Sequence, residues 1–317
     1  MAPFRRSIER LVVLGSGLAG LTAATWAESS FHLEPLVITG PRFGGALRTN
    51  SLINPWPDGN PSGYELLRRM RRRAEANNVR FMFDDVASIK TTSRPFTIRT
   101  RSGKTVIASS VIIAMGRGTA PPPFELEGEP LKRSAVMAGT IVRYCFLRNR
   151  NVAVVGGSHS AAIEALNASN FARTVTIVCP SGQLTCRPSL KQRIVRRPNI
   201  RIMLRTSFEA FVTNDERSNL RLCAIEMVGA YGAQSMKVDN LILAKTPKPC
   251  SELFENIKRS EAGYIFTKHC GAQTNIEGVF AAGSIVHNVA KTAISAAASG
   301  FSAAEAAGYF SNKSSNF

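Results

Sequence analysis

The chain has 317 residues, 44% of them hydrophobic, which is enough for two domains with cores of their own and too apolar for a disordered chain. It carries 40 basic residues, 29 Arg and 11 Lys, against 22 acidic ones, a net charge of +18. No run of about 18 apolar residues free of charge occurs, so no membrane insertion is expected. Residues 1–10, MAPFRRSIER, run straight into an apolar strand without room for a secretory leader. An intracellular protein, of the cytoplasm or an organelle matrix, is therefore expected. A field of +18 favours RNA, an anionic surface or an acidic protein as partner. The densest runs are RRMRRR at 68–73 and KQRIVRRPNIRIMLR at 191–205. The six cysteines, at 145, 179, 186, 223, 250 and 270, include no C-x-x-C, hence neither a dithiol redox motif nor a paired zinc-ligand signature. Scattered thiols of this kind fit a reducing compartment.

The first element is a β-branched strand, RLVVL, followed by Gly15-Ser16-Gly17-Leu18-Ala19-Gly20 and a small-residue helix. In such a turn Gly15 permits the tight bend, Gly17 lets the backbone approach a pyrophosphate, and Gly20 allows close packing of helix on strand. PLVITG and VRFMFD read as strands, and FTIRTRSGKTVIASSVIIAMG as a hairpin turning at Ser102-Gly103. NVAVVGGSHSAAIEAL repeats the strand–turn–helix pattern about 140 residues after the first, with Gly156 and Gly157 in the turn. There Ser158 adds a side chain where a phosphate would approach. TVTIVCP, IRIMLRTSFEAFV, LRLCAIEMV and KVDNLILAK read as β segments. GVFAAGSIV then leads into the Ala-rich helix KTAISAAASGFSAAEAAGYF, after which a polar tail, SNKSSNF, is expected to fray. The pattern is an α/β fold with two Rossmann-like three-layer domains. His32, His159, His269 and His287 are too dispersed for a triad or a metal site, and His159 reads as a solvent-facing residue at a helix start.

The order of Gly15 to Gly20, LVITG, FGGAL, RPFTIRT, VIIAMG, RNRNVAVVGG, GVFAAG and AISAAASG resembles the low-molecular-weight thioredoxin reductases over nearly the whole chain. The resemblance implies a discontinuous FAD-type domain, residues 1–118 and 246–317, with a pyridine-nucleotide-type domain, 119–245, inserted into it. It implies cofactor contacts at Gly15, Gly17, Leu18, Ala19, Gly20, Gly44, Gly45, Gly116, Gly283 and Ser284, and at Gly156 and Gly157 in the second turn. It also implies a homodimer through the FAD-type domain.

Several positions depart from that family. Its C-x-x-C aligns with Gly139-Thr140-Ile141-Val142, and Cys145 has no partner for thiol–disulfide exchange. Its H-R-R-x-x-x-R motif for the 2′-phosphate of NADPH falls on Cys179-Pro180-Ser181 and the residues up to Thr185, with Arg187 nearby, so NADPH binding is expected to be weak or absent. At the flavin, Ala46, Pro55, Ser284 and Lys291-Thr292 replace polar partners. Losing three or four hydrogen bonds would cost roughly 3 to 5 kcal/mol, which weakens an FAD site without abolishing it. These departures and the charge lead to one expectation: a catalytically degenerate relative, without catalytic residues or thioredoxin-disulfide reductase activity, serving as a structural or partner-binding subunit of a larger assembly such as a ribosome or its assembly machinery. The alternative is an FAD-dependent NAD(P)H oxidoreductase without a dithiol, of the thioredoxin-reductase or ferredoxin-NADP-reductase type. A further alternative is FAD with a different donor or oxidant and Cys145 as a lone thiol.

Overall fold

A computed structural model describes residues 8–40, 43–48, 56–57, 59, 61–118, 136–138, 144–216, 219–230, 232–244, 247–268 and 271–314. Pro55, residues 139–142 and the pair His269 and Cys270 lie outside the described residues. The chain divides into two units, Met1–Gly118 with Lys248–Phe317, and Thr119–Pro247.

The first unit opens with β1 (Ile8–Leu14), α1 (Leu18–Phe31) and β2 (Leu36–Thr39). It continues with α2 (Gly63–Ala76), β3 (Arg80–Phe83), β4 (Val86–Lys90), β5 (Phe96–Thr100), β6 (Thr105–Ile113) and the short β7 (Arg117–Gly118). The second unit holds β8 (Val136–Ala138), β9 (Asn151–Val155), α3 (His159–Ala168), β10 (Thr174–Cys179), α4 (Pro188–Val195), β11 (Ile200–Leu204), β12 (Ser207–Glu216), β13 (Asn219–Gly229), β14 (Gly232–Lys237) and β15 (Asn240–Leu243). The chain then returns to the first unit with β16 (Lys248–Pro249), β17 (Val279–Ala281) and α5 (Ala293–Ser314).

In the first unit β3, β2, β1 and β6 are parallel neighbours, and β17 pairs with the far end of β6 through Val111, Ile112 and Ile113. Leu11, Val12, Val13 and Leu14 are fully buried, as the central strand of a sheet covered on both faces requires. Helices α1 and α5 pack closely because small residues meet: a Cβ on Gly300 would lie 2.3 Å from the Ala19 carbonyl oxygen. The hairpin turns where expected, with Arg99 opposite Thr105 and Gly103 at φ +87°. Helix α2 is capped by Ser62, whose Oγ accepts from Glu65 N at 3.1 Å, and it buries Leu66, Leu67 and Ala74.

The second unit has a parallel sheet in the order β11-β10-β9-β15-β8 and an antiparallel sheet β12-β13-β14. Two segments expected as single strands are each divided between these sheets. IRIMLRTSFEAFV breaks at Arg205, which sits at φ +51°, and KVDNLILAK breaks between Lys237 and Asn240. At the other end of the chain, α5 runs through Ser314, so residues 311–314 of the expected fraying tail are helical.

Candidate functional site

The two glycine turns have the same position in their sheets and opposite surroundings. In the first unit β1 delivers the chain to Gly15, at φ +106°, where a Cβ would come within 2.6 Å of the Ala114 carbonyl oxygen. Gly20 lies so close beneath the turn that a Cβ there would be 2.0 Å from the Gly15 oxygen. Both positions are thus fixed by the protein's own packing. Gly17 is different: it is the N-cap of α1 in extended conformation, φ −69° and ψ 178°, and a Cβ there would meet nothing within 4 Å. No side chain caps the helix, so its first N–H groups and the positive end of its dipole face that space.

The other expected residues gather around this helix end. Buried Ser16 accepts from Gly44 N at 2.9 Å and shares a hydrogen bond with Thr39 at the end of β2, which ties the Gly44–Gly45 loop to the turn. A Cβ on Gly45 would lie 3.5 Å from Gly17 Cα, one on Gly283 2.8 Å from Ala19 Cβ, and one on Gly116 3.4 Å from Ser284 Oγ. Gly44, Gly45, Gly116 and Gly283 all have positive φ and leave backbone rather than side chains around the cradle. Gly283 N donates to Ser299 Oγ at 2.7 Å. Leu18, Ala19 and Gly20 form the first turn of α1. These residues fit the ADP part of FAD: an open anion cradle at a helix N-terminus, next to the carboxyl ends of β1, β6 and β17.

In the second unit Gly156, at φ +134°, would bring a Cβ within 2.9 Å of the Ala244 oxygen. Gly157 packs on the buried Cys179, whose Sγ would be 2.4 Å from a Cβ there. The loop after β10 folds back on this turn, with Thr185 N donating to Gly157 O at 2.7 Å. Ser158, expected to crowd the turn, instead has its Oγ buried and without a partner. Arg205 Nε lies 3.4 Å from where a Cβ of Gly182 in this loop would be. Arg187 stands at the N-cap position of α4, without a side-chain capping hydrogen bond, and lies near His159. Partial desolvation, reinforced by the Arg187 charge, pushes the His159 pKa below its ordinary value. Cys145 is exposed in a 3-10 turn, Tyr144–Leu147. The neighbouring Tyr144 hydroxyl donates to Glu164 at 2.5 Å, and burial raises the pKa of both groups.

Residues 9–300 match the family described as "Pyridine nucleotide-disulphide oxidoreductase". The chain belongs to this family. Within it the chain is 31% identical over 305 residues to the thioredoxin reductase of Coxiella burnetii, covering 93% of each protein. It is 30% identical over 310 residues to the glucosaminate ammonia-lyase of Pseudomonas fluorescens, again covering 93% of each. Among solved structures, Lactococcus lactis thioredoxin reductase superposes with a TM-score of 0.84 over 96% of this chain and 99% of that one, at 23% identity, a likeness that speaks for the fold.

These relatives overturn the expectation of a catalytically degenerate structural or ribosomal subunit, because full-length likeness leads to enzymes. RNA and assembly partners find no support there. The physical reason the charge misled lies in the described arginines. Run 68–73 is the solvent face of α2, where Arg69 pairs with Glu65 at 2.6 Å, Arg71 pairs with Glu75 at 2.7 Å, and the Arg71 guanidinium stacks 5.0 Å from the Phe43 ring centroid. Run 191–205 is spread over α4 and β11, with Ile194 in the core. The expectation that NADPH binding is weak or absent likewise finds no support in a family described by its pyridine nucleotide. Among the described residues no helix is long and apolar enough to cross a membrane, and no group of His, Cys, Asp or Glu could hold a metal ion.

Proposed function

We propose that the chain is an FAD-dependent oxidoreductase that takes electrons from a reduced pyridine nucleotide and passes them to an acceptor without a C-x-x-C dithiol of its own. The observation that carries this reading is the empty space at Gly17, beside glycines whose own packing is tight. A glycine that no neighbour requires, at the uncapped start of a buried helix, leaves room for a pyrophosphate.

In this reading the N–H groups of Leu18, Ala19 and Gly20 hold the pyrophosphate, with Gly15, Gly17 and Gly20 shaping the turn. Gly44, Gly45, Gly116 and Gly283 bring backbone to the cofactor, and Ser284 offers its hydroxyl. Bound FAD supplies hydride acceptance from a nicotinamide and electron delivery to the acceptor. In the second unit Gly156 and Gly157 form the nucleotide turn, and Arg187 and Arg205 supply guanidinium groups from outside the family's arginine motif. The positive surface favours an acidic acceptor protein, because complementary charge speeds encounter. A homodimer through the first unit follows from the family likeness.

The test is cofactor content: protein purified without added flavin, denatured, and its released flavin identified and counted. The proposal expects FAD approaching one per chain. Protein that neither retains FAD nor binds it on reconstitution would refute it.

A further inference from the structure

Between Glu164 and Glu209 the chain carries eight Lys and Arg residues and no Asp or Glu. Arg187 and Arg205 belong to the nucleotide turn. Most of the remaining charge gathers elsewhere: Lys191 and Arg193 lie on α4, Arg196 and Arg197 in the bend after it, and Arg201 on β11. Asn199 fixes that bend, its Nδ2 donating to the Ser169 carbonyl at 2.9 Å and to the Ala172 carbonyl at 3.2 Å. Arg193, Arg196, Arg197 and Arg201 are exposed, and among the described residues none of them forms an ion pair. The negative end of the α4 dipole offsets part of the charge at Arg193 and Arg196, but it does not reach along β11 to Arg201.

β11 is the edge of its sheet. It pairs with β10 from Ile200, opposite Val175, to Leu204, opposite Cys179, and among the described residues no strand covers its other side. Because side chains alternate along a strand, Ile200, Ile202 and Leu204 share one face. Ile200 packs on the core that holds Leu190 and Ile194 of α4, whereas Ile202 is 38% and Leu204 43% exposed, and Val195 at the end of α4 is 78% exposed. The nucleotide turn lies at the carboxyl ends of β9 and β10, while Arg196, Arg197 and Arg201 stand at the amino end of β11, so this charge is separate from that site. An open strand edge flanked by exposed aliphatic side chains is a template for another strand. Uncompensated arginines beside it select an acidic strand and reject a second copy of this chain, which would set arginine against arginine. No Phe, Tyr or Trp occurs from 172 to 207, so the surface has no ring on which a nucleobase could stack.

We propose that the edge of β11 binds an extended, acidic segment of a partner protein by strand addition, with the partner's apolar side chains on Ile202 and Leu204 and its carboxylates on Arg196, Arg197 and Arg201. Arg201 points to the opposite face from Ile202, so a segment alternating acidic and apolar residues satisfies both faces at once. The edge gives the acidic acceptor protein a place to dock and in that respect rests on the proposed function, while the binding itself requires no flavin. Its charge pairs form at an exposed surface, so affinity falls as salt is raised.

The experiment is a fluorescence-anisotropy titration of the full chain with labelled, end-capped peptides of about ten residues: one alternating glutamate and valine, an isomer with the same residues in two blocks, and one alternating lysine and valine. The alternating acidic peptide is expected to bind at least about 10-fold tighter than its block isomer, with and without FAD, and the lysine peptide not at all. Arg196→Glu with Arg201→Glu should weaken it at least about 10-fold, whereas Arg68→Glu with Arg72→Glu on α2, the same change in net charge, should leave it unaltered. In the unsubstituted chain the peptide should slow hydrogen exchange at β11 and not at α2, a readout that does not depend on how the variants fold. No binding, equal affinity for the two acidic isomers, equal loss in both double variants, or an unprotected β11 would overturn the proposal. So would an oligouridylate of equal charge that binds as tightly and competes for the same edge. Peptide binding without flavin reduction by a pyridine nucleotide supports this surface and fails only the proposed reaction; flavin reduction without peptide binding does the converse.

Discussion

Replacing Gly17 by alanine separates two roles that the glycines of the first turn share. The backbone at Gly17, φ −69° and ψ 178°, suits any residue, and the added methyl group meets nothing within 4 Å. The apo protein should therefore be unaffected or more stable by up to about 1 kcal/mol, since alanine restricts the unfolded chain. A pyrophosphate that depends on close approach to this backbone loses its place. If two charge-assisted hydrogen bonds of roughly 1.5 to 3 kcal/mol each are lost, FAD affinity falls by about two to four orders of magnitude. Thermal unfolding of apo protein and fluorescence titration with FAD measure the two effects separately. Undiminished FAD affinity in Gly17→Ala would refute the cradle, and an unfolded apo variant would refute the assignment of its space to a ligand.

Gly20→Ala should do the reverse, destabilising the apo fold by about 2 to 3 kcal/mol, because its Cβ would be 2.0 Å from a backbone oxygen; chemical denaturation checks this. In the second turn Gly157→Ala should destabilise by about 1 to 3 kcal/mol, and Cys179→Ala should restore part of that loss, since the new methyl group collides with Cys179 Sγ; a double-mutant cycle reads the coupling. His159 should titrate below its ordinary value in NMR, and Arg187→Gln should move it up, by removing the smaller of its two causes. Burial raises the Glu164 carboxyl pKa, so the folded state holds that proton longer than the unfolded chain does. The second unit should therefore lose stability as pH rises from the ordinary carboxylate range through the folded pKa, and Glu164→Gln should flatten that slope in denaturation at several pH values.

Most strands of the two parallel sheets and both glycine turns were legible because buried parallel strands are continuous β-branched runs and because glycine turns have fixed spacing, whereas β4 and β8 were not read as strands. Positions where the chain changes sheet were not legible either. Arg205 at φ +51° carries no signal in its residue type, and the break in KVDNLILAK lies at Val238-Asp239, where a buried valine fits a continuous strand as well. Helix α2 passed as a charge run, although Ser62 and Glu65 form a capping signature three residues apart and Leu66 and Leu67 mark its buried side. The net charge of +18 led to RNA, and it does not show that Arg69 and Arg71 of the densest run are paired along their own helix with Glu65 and Glu75. The cradle residues were legible one by one, while the difference between an open Gly17 and Ser158, the N-cap at the same place in the second turn with its Oγ buried, needed their surroundings.

The central claim is that electrons enter this chain from a pyridine nucleotide and reside on FAD. Anaerobic titration of the FAD-loaded protein with NADPH, and separately with NADH, tests it most directly. The account predicts loss of the oxidised flavin absorbance with one equivalent of at least one of the two nucleotides. Flavin that stays oxidised under excess of both, yet is reduced by dithionite, would contradict it.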